Sequence, residues 1–296
     1  MVAYLQLRQP VLTLRVPCAP FTLRGTTRDA SKAAANALKD RSLEIVEVNN
    51  RPYRAPFSLR FAFWGEGSVE FEIKQVKAIA DASVTAGVTQ LIWSSLPNVT
   101  KMNNGEHGLA HFDSKAVVEE YIRNLNIRNA FFMPTWFMQN HLSIMPLVKG
   151  DDGSHASQQP WSPTTRTALI DTRDTGKFLA PVLADPDKYH GKRLTCATAF
   201  YTPVEMAETW SMVLGKTMEL QQVTEADSNT VPFTEEQKKV IKDASMLMTK
   251  YEYFGPTDND DIAWTLEQMT EKPVMWEESV RDHRSLHWSC SRQRVS

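Results

Sequence analysis

The stretch AHFDSKAVVEEYIRNLNIRNAFFMP, residues 110–134, decides the fold. Val117, Val118, Tyr121, Ile122 and Leu125 recur at helical spacing, so its first half reads as an amphipathic helix. NAFFMP then reads as a buried strand, ended by Pro134, which lacks the N–H a sheet ladder needs. The segment before it repeats the arrangement. Ile73, Val76, Ile79, Ala80 and Val84 mark a helix stopped at Gly87, and VTQLIWSS, residues 88–95, is a buried strand closing on two serines. The polar loop LPNVTKMNNGEHG joins the two pairs. Helix, strand, loop, helix, strand predicts a parallel sheet with helices on both faces, because parallel neighbours need a crossover that a helix supplies.

Towards the N-terminus, FTLRGTT (residues 21–27) reads as a strand. RDASKAAANALKD reads as an alanine-rich helix starting near Asp29 or Ser31, and LEIVEV at 43–48 as an alternating strand. Residues 49–68 hold Asn49, Asn50, Pro52, Pro56, Gly65 and Gly67 and read as a loop or a damaged element. Beyond residue 150 the rhythm loosens. DDGSHASQQP reads as a polar turn region, TALID and KRLTCAT as strands, and TRDTGKFLAPVLAD as a helix with Asp174 near its start. Thr202-Pro203-Val204-Glu205 is a capping box with proline at the first helical position, and Thr234 to Gln237 is a second. After Trp276 the apolar period fades, so the tail reads as exposed or disordered. His283 and His287 are four apart there; a solvated tail is the plainer reading, and no metal site is expected. The chain thus divides into an α/β region at 1–150, a smaller helix-rich region at 151–280 and a tail at 281–296.

Composition narrows the class. The chain has 296 residues, 42% of them hydrophobic, enough for a sizeable core. A net charge of −2 and a pI near 6.4 lack the basic footprint of a nucleic-acid binder, so no direct nucleic-acid contact is expected. Cys18, Cys196 and Cys290 are odd in number and far apart, which argues against a disulfide framework or zinc site and fits a reducing compartment. No apolar run approaches the ~20 residues that span a bilayer. Arg8, Pro10, Arg15 and Pro17 interrupt any signal-peptide core, so an intracellular protein off the membrane is expected.

A dinucleotide-binding sheet of this kind normally begins with a strand and a glycine-rich turn opening a helix, so that backbone N–H groups and the helix N-terminus meet the pyrophosphate. Here no glycine precedes Gly25. Gly65-Glu66-Gly67 is the only GxG, and it carries an acid, so it reads as a turn.

Taken in order, LRGTTRDASKAAANAL, FEIKQVKAIADASVTAGVTQLIWSSLPNVTK, AHFDSKAVVEEYIRNLNI, AFFMPTWFMQNHL and LIDTRDTGKFLAPVLADPDKYHGKRL resemble the NmrA-like proteins, an atypical branch of the short-chain dehydrogenase/reductases. The resemblance covers roughly residues 21–280 and rests above all on AHFDSKAVVEEYI. It implies a Rossmann-like, doubly wound parallel sheet with a smaller helix-rich C-terminal region. It also implies that the first strand, the glycine-rich loop and about one strand's length of the middle of the sheet, near 63–68, are missing.

Site residues follow by position. Arg28 matches the family arginine that meets the 2′-phosphate of NADP, and Lys32, one helical turn on, adds charge; solvated surface charges are the plain alternative. Asn49 stands where the family usually has an aspartate near the adenine. Lys115 matches the superfamily lysine that bonds the nicotinamide ribose. Four residues earlier, where ordinary members carry the proton-donating tyrosine, this chain has His111, which either relays a proton or packs in the loop. Ser94 and Ser95 end a strand at the edge where such sheets bind ligands, or simply cap it. Pro134 and Trp136 match the stretch bordering the nicotinamide, with Trp136 as a pocket wall.

The resemblance implies an NADP(H)-binding, redox-sensing regulator, with NAD as the alternative cofactor, acting through a protein partner such as a fungal transcription factor. It places such a protein in the cytoplasm and, with that partner, the nucleus. One alternative is an NADPH-dependent reductase of the isoflavone-reductase-like type acting on a small carbonyl or enone substrate. A second is a cofactor-free remnant keeping an interaction surface. Charge-assisted hydrogen bonds contribute ~1.5–3 kcal/mol each, so losing the phosphate loop predicts weak cofactor binding.

Overall fold

The computed structural model describes residues 24–27, 30–40, 44–47, 69–143, 145, 147–150, 154–223 and 235–284. In chain order they form β1 (Arg24–Thr27), α1 (Ala33–Lys39), β2 (Glu44–Glu47), α2 (Val69–Thr85), β3 (Gln90–Ser94), α3 (Val99–Met102), α4 (Ala110–Arg123), β4 (Arg128–Pro134), β5 (Trp136–Phe137) and α5 (Asn140–Ser143). Then come β6 (Val148–Lys149), β7 (His155–Gln159), β8 (Thr167–Ile170), α6 (Thr175–Ala184), β9 (Arg193–Cys196), β10 (Ala199–Tyr201), α7 (Pro203–Leu214), β11 (Glu219–Gln222), α8 (Glu235–Lys250), α9 (Asp258–Glu267) and α10 (Trp276–Asp282). Two compact units share these elements. The first takes the described residues up to Asn98, with Ala110–Met133 and Thr175–Leu194; the second takes Val99–Leu109, Pro134–Asp174 and the described residues from Thr195 on.

The first unit is α/β, as the alternation predicts. β1 pairs in parallel with β2. β3 pairs in parallel with β4, Gln90 facing Arg128 and Ser94 facing Phe132, and β9 flanks β4 on its other side. A middle strand is covered on both faces, which is why β4 carries an unbroken buried run from Asn129 to Pro134. α2 and α4 pack on one another. Val76, Ala80, Trp93, Val118, Ile122 and Phe131 form the core between them and the sheet, with Ile73, Leu91, Tyr121 and Leu125 against it. Gly87 ends the turn after α2 at φ 70°, a left-handed conformation costly to any residue with a Cβ. The expected losses of the first strand and mid-sheet, Gly65-Glu66-Gly67 included, lie outside the described residues.

The second unit holds two three-stranded sheets, ordered β10-β8-β5 and β11-β7-β6. Its core joins Met138, Leu169, Met206, Trp210, Val213 and Leu214 to Trp276 and Val280. α7 starts as expected: Thr202 Oγ1 accepts from Glu205 N at 3.2 Å, and Thr202 N donates to Glu205 Oε2 at 2.7 Å. The second expected capping box falls on Thr234, outside the described residues, ahead of α8. Two readings need correction. The stretch read as polar turn contains β7, in which His155, Ser157 and Gln159 are buried; Gln159 Nε2 donates to Ser157 Oγ at 2.9 Å, so a side-chain bond replaces water. The start of the stretch after Trp276 is α10, with Trp276 and Val280 fully covered, while residues 285–296 of the expected tail lie outside the described residues. Among the described residues no helix is long and apolar enough to cross a membrane.

Candidate functional site

In the first unit the site gathers where β3 runs out. Ser94 is exposed and Ser95 fully buried. Ser95 N donates to Phe132 O at 2.8 Å, so the ladder continues one residue past the strand. Its hydroxyl lies 3.5 Å from the Lys115 carbonyl, and Trp93 Nε1 donates to that same carbonyl at 3.0 Å. Trp93 in β3 and Ser95 just past its end therefore fix the second turn of α4.

On that turn Lys115 is 9% exposed, and its ammonium donates to Glu72 Oε1 at 2.8 Å. Glu72, in the first turn of α2, is 7% exposed, and its other oxygen accepts from Ser114 Oγ at 2.9 Å. One carboxylate thus takes adjacent residues of α4, one bond to each oxygen. The N-terminus of α2 adds positive potential, which favours a carboxylate there. Glu72 was not among the expected site residues. Its signal is legible all the same: it sits four and eight residues before Val76 and Ala80 on the buried stripe of α2, where an acid requires a buried partner.

His111, one turn before Lys115, is half-buried and packs edge-on to Phe112, centroids 4.7 Å apart. Burial pushes its pKa down to about 3, and the Lys115 ammonium adds to the effect. The imidazole is therefore neutral at physiological pH. An imidazole whose pKa lies near 3 resists protonation, so its acid form is scarcely populated at neutral pH and it is a poor general acid.

Among the other expected residues, Lys32 stands exposed just ahead of α1, where its carbonyl accepts from Asn36 N at 3.0 Å. Arg28 and Asn49 lie outside the described residues. Pro134 and Trp136 belong to the second unit. There Pro134 is buried, and Trp136, half-buried in β5, meets Trp161 edge-to-face at 5.5 Å. Between them Thr135 Oγ1 donates to Ala168 O at 2.8 Å. Among the described residues no group of histidine, cysteine, aspartate and glutamate could hold a metal. His283 Nδ1 lies 2.8 Å from Ser279 O, and His287 is outside the described residues.

Known proteins share this architecture. A crystal structure of NmrA, a negative transcriptional regulator, in complex with NADP superposes with a TM-score of 0.70 at 19% identity, over 92% of this chain and 90% of that one. An NmrA-like family domain-containing protein of Dictyostelium discoideum is 25% identical over 163 residues, 53% of this chain; the chain spans about half (54%) of that relative's length. The NmrA-like family domain-containing oxidoreductase lnaB of Aspergillus flavus is 24% identical over 282 residues, 84% of this chain and 83% of the relative. A model of the NmrA-like family matches residues 12–280, and the chain belongs to that family.

Proposed function

We propose that this chain is an NADP(H)-binding, redox-sensing regulatory protein that acts through a protein partner rather than as a reductase. The state of His111 carries the reading. The residue at the position of the superfamily's tyrosine is a histidine held neutral, with its pKa near 3, and so is a poor proton donor to a reduced carbonyl. The donors nearby suit a ribose: the exposed Ser94 hydroxyl ends β3, and the Lys115 ammonium has three N–H groups, one of them held by Glu72. Bound there, the nicotinamide cofactor would supply a hydride carrier whose oxidation state can be read. Arg28 and Lys32 would favour the 2′-phosphate of NADP over NAD. Without phosphate-loop glycines before Gly25, affinity is expected to be weak.

Titrating the full chain with NADPH and NADP, followed by calorimetry and saturation-transfer NMR, tests this. The expected outcome is binding weaker than micromolar with no NADPH oxidation across a panel of carbonyls, enones and quinones. Turnover with any of them would establish the reductase reading instead. Absence of binding at millimolar cofactor would leave only the cofactor-free interaction reading.

A further inference from the structure

We infer that Glu72 is the positioning residue of the candidate site, setting where the Lys115 ammonium points when a nicotinamide ribose is bound. The inference rests on the cofactor reading above and deepens it. Lys115 is held at both ends: its carbonyl by Trp93 Nε1 at 3.0 Å and the Ser95 hydroxyl at 3.5 Å, its ammonium by Glu72 Oε1 at 2.8 Å. A lysine side chain has four rotatable bonds and no geometry of its own, so a fixed direction must come from a partner. Glu72 is well placed to give one. It is buried, and Ser114 Oγ at 2.9 Å occupies its second oxygen, so the carboxylate cannot rotate without losing a bond.

A second buried carboxylate, Glu119 on α4, shows what a purely structural clamp looks like. Glu119 is tied by two arginines, Arg123 at 2.7–2.9 Å and Arg193 at 2.6 Å. Glu72 instead takes the one cation that matches the superfamily's ribose-binding position. By holding one ammonium donor it limits the directions in which the ammonium can point.

The test is a double-mutant cycle in NADPH affinity: wild type, Glu72→Gln, Lys115→Gln and the double variant, with Glu72→Ala as the harsher probe. Near-UV circular dichroism and denaturant melts first establish that each is folded. Glu72→Gln keeps both acceptor and shape and should weaken NADPH about threefold; Glu72→Ala should weaken it about tenfold, the scale of one charge-assisted bond. With Lys115 already replaced by Gln, the Glu72 change should alter affinity less than twofold. A strut holding two helices together would lower the melting midpoint yet leave the affinity of folded protein untouched. Folded Glu72 variants that bind NADPH like wild type, or lose equal affinity with and without Lys115, overturn the inference alone. No NADPH binding by the wild type overturns it together with the cofactor reading.

Discussion

His111 and Lys115 face the same side of α4, one turn apart, and a second positive charge in that partly buried turn is strongly opposed. The consequence is a pH dependence of folding. The folded pKa is about 3 against 6.5 for the free group. Below pH 6.5 the unfolded chain takes up a proton that the folded chain refuses, so stability falls as pH drops from about 6.5 towards 3. The slope is about 1.4 kcal/mol per pH unit, or about 2 kcal/mol lost by pH 5. Denaturant unfolding at pH 7 and pH 5 should show His111→Gln losing less stability than wild type by that amount; equal losses would place the proton elsewhere. The ion pair beside it gives a second expectation. Lys115→Gln and Glu72→Gln each leave one buried charge unmatched and should cost about 3 kcal/mol, while the double variant should cost less than their sum. Lys115 and His111 could be named as candidates from the sequence because the resemblance to a family motif marks their positions. For Glu72 the apolar stripe of α2 could signal a buried acid, but not its partner, which lies 43 residues along the chain and beyond what spacing within one helix can show.

At the scale of elements, legibility followed from how much of the signal is local. α2, α4, β3 and β4 carry their apolar period and their stop signals within one window, and each formed close to where it was expected. β7 did not announce itself, since HASQQ reads as solvent-facing chain until its neighbours β6 and β11 cover it. α7 is the opposite case, with both ends written in sequence. Its capping box and the left-handed Gly215 at φ 69° satisfy backbone groups that a bare helix leaves open. Thr202→Ala should therefore cost about 1 kcal/mol. Gly215→Ala should cost about 1–2 kcal/mol from backbone strain alone, because an added Cβ there meets nothing within 4 Å. Urea unfolding midpoints measure both. A neutral Gly215→Ala would mean that the helix end can rearrange.

For the molecule as a whole, α10 shows why a fading sequence pattern is poor evidence of a free tail. Seven residues, WEESVRD, cannot sustain a visible helical period, yet they place Trp276 and Val280 in the second unit's core. Trp276 meets Trp210 and His141 edge-to-face at 5.0 and 5.3 Å. Polar ties flank this contact: Ser279 Oγ donates to the buried Asp171 at 3.0 Å, and Arg173 bridges Asp171 and Asp282 at 2.8 and 2.6 Å. Ahead of the helix, Val274 N donates to the buried Asp174 at 2.6 Å. α10 is thus an integral wall of this unit. Trp276→Ala should cost about 3–5 kcal/mol, the scale of a large aromatic removed from a closed core. Ending the chain at Met275 should do worse, because it uncovers Trp210 and Val213 and strips Asp171 of its Ser279 donor. The truncated protein should lose its near-UV circular dichroism while keeping most of its far-UV signal, and should bind a dye for exposed apolar surface. A truncated chain with wild-type near-UV spectra and an unchanged unfolding midpoint would show that the core closes without α10.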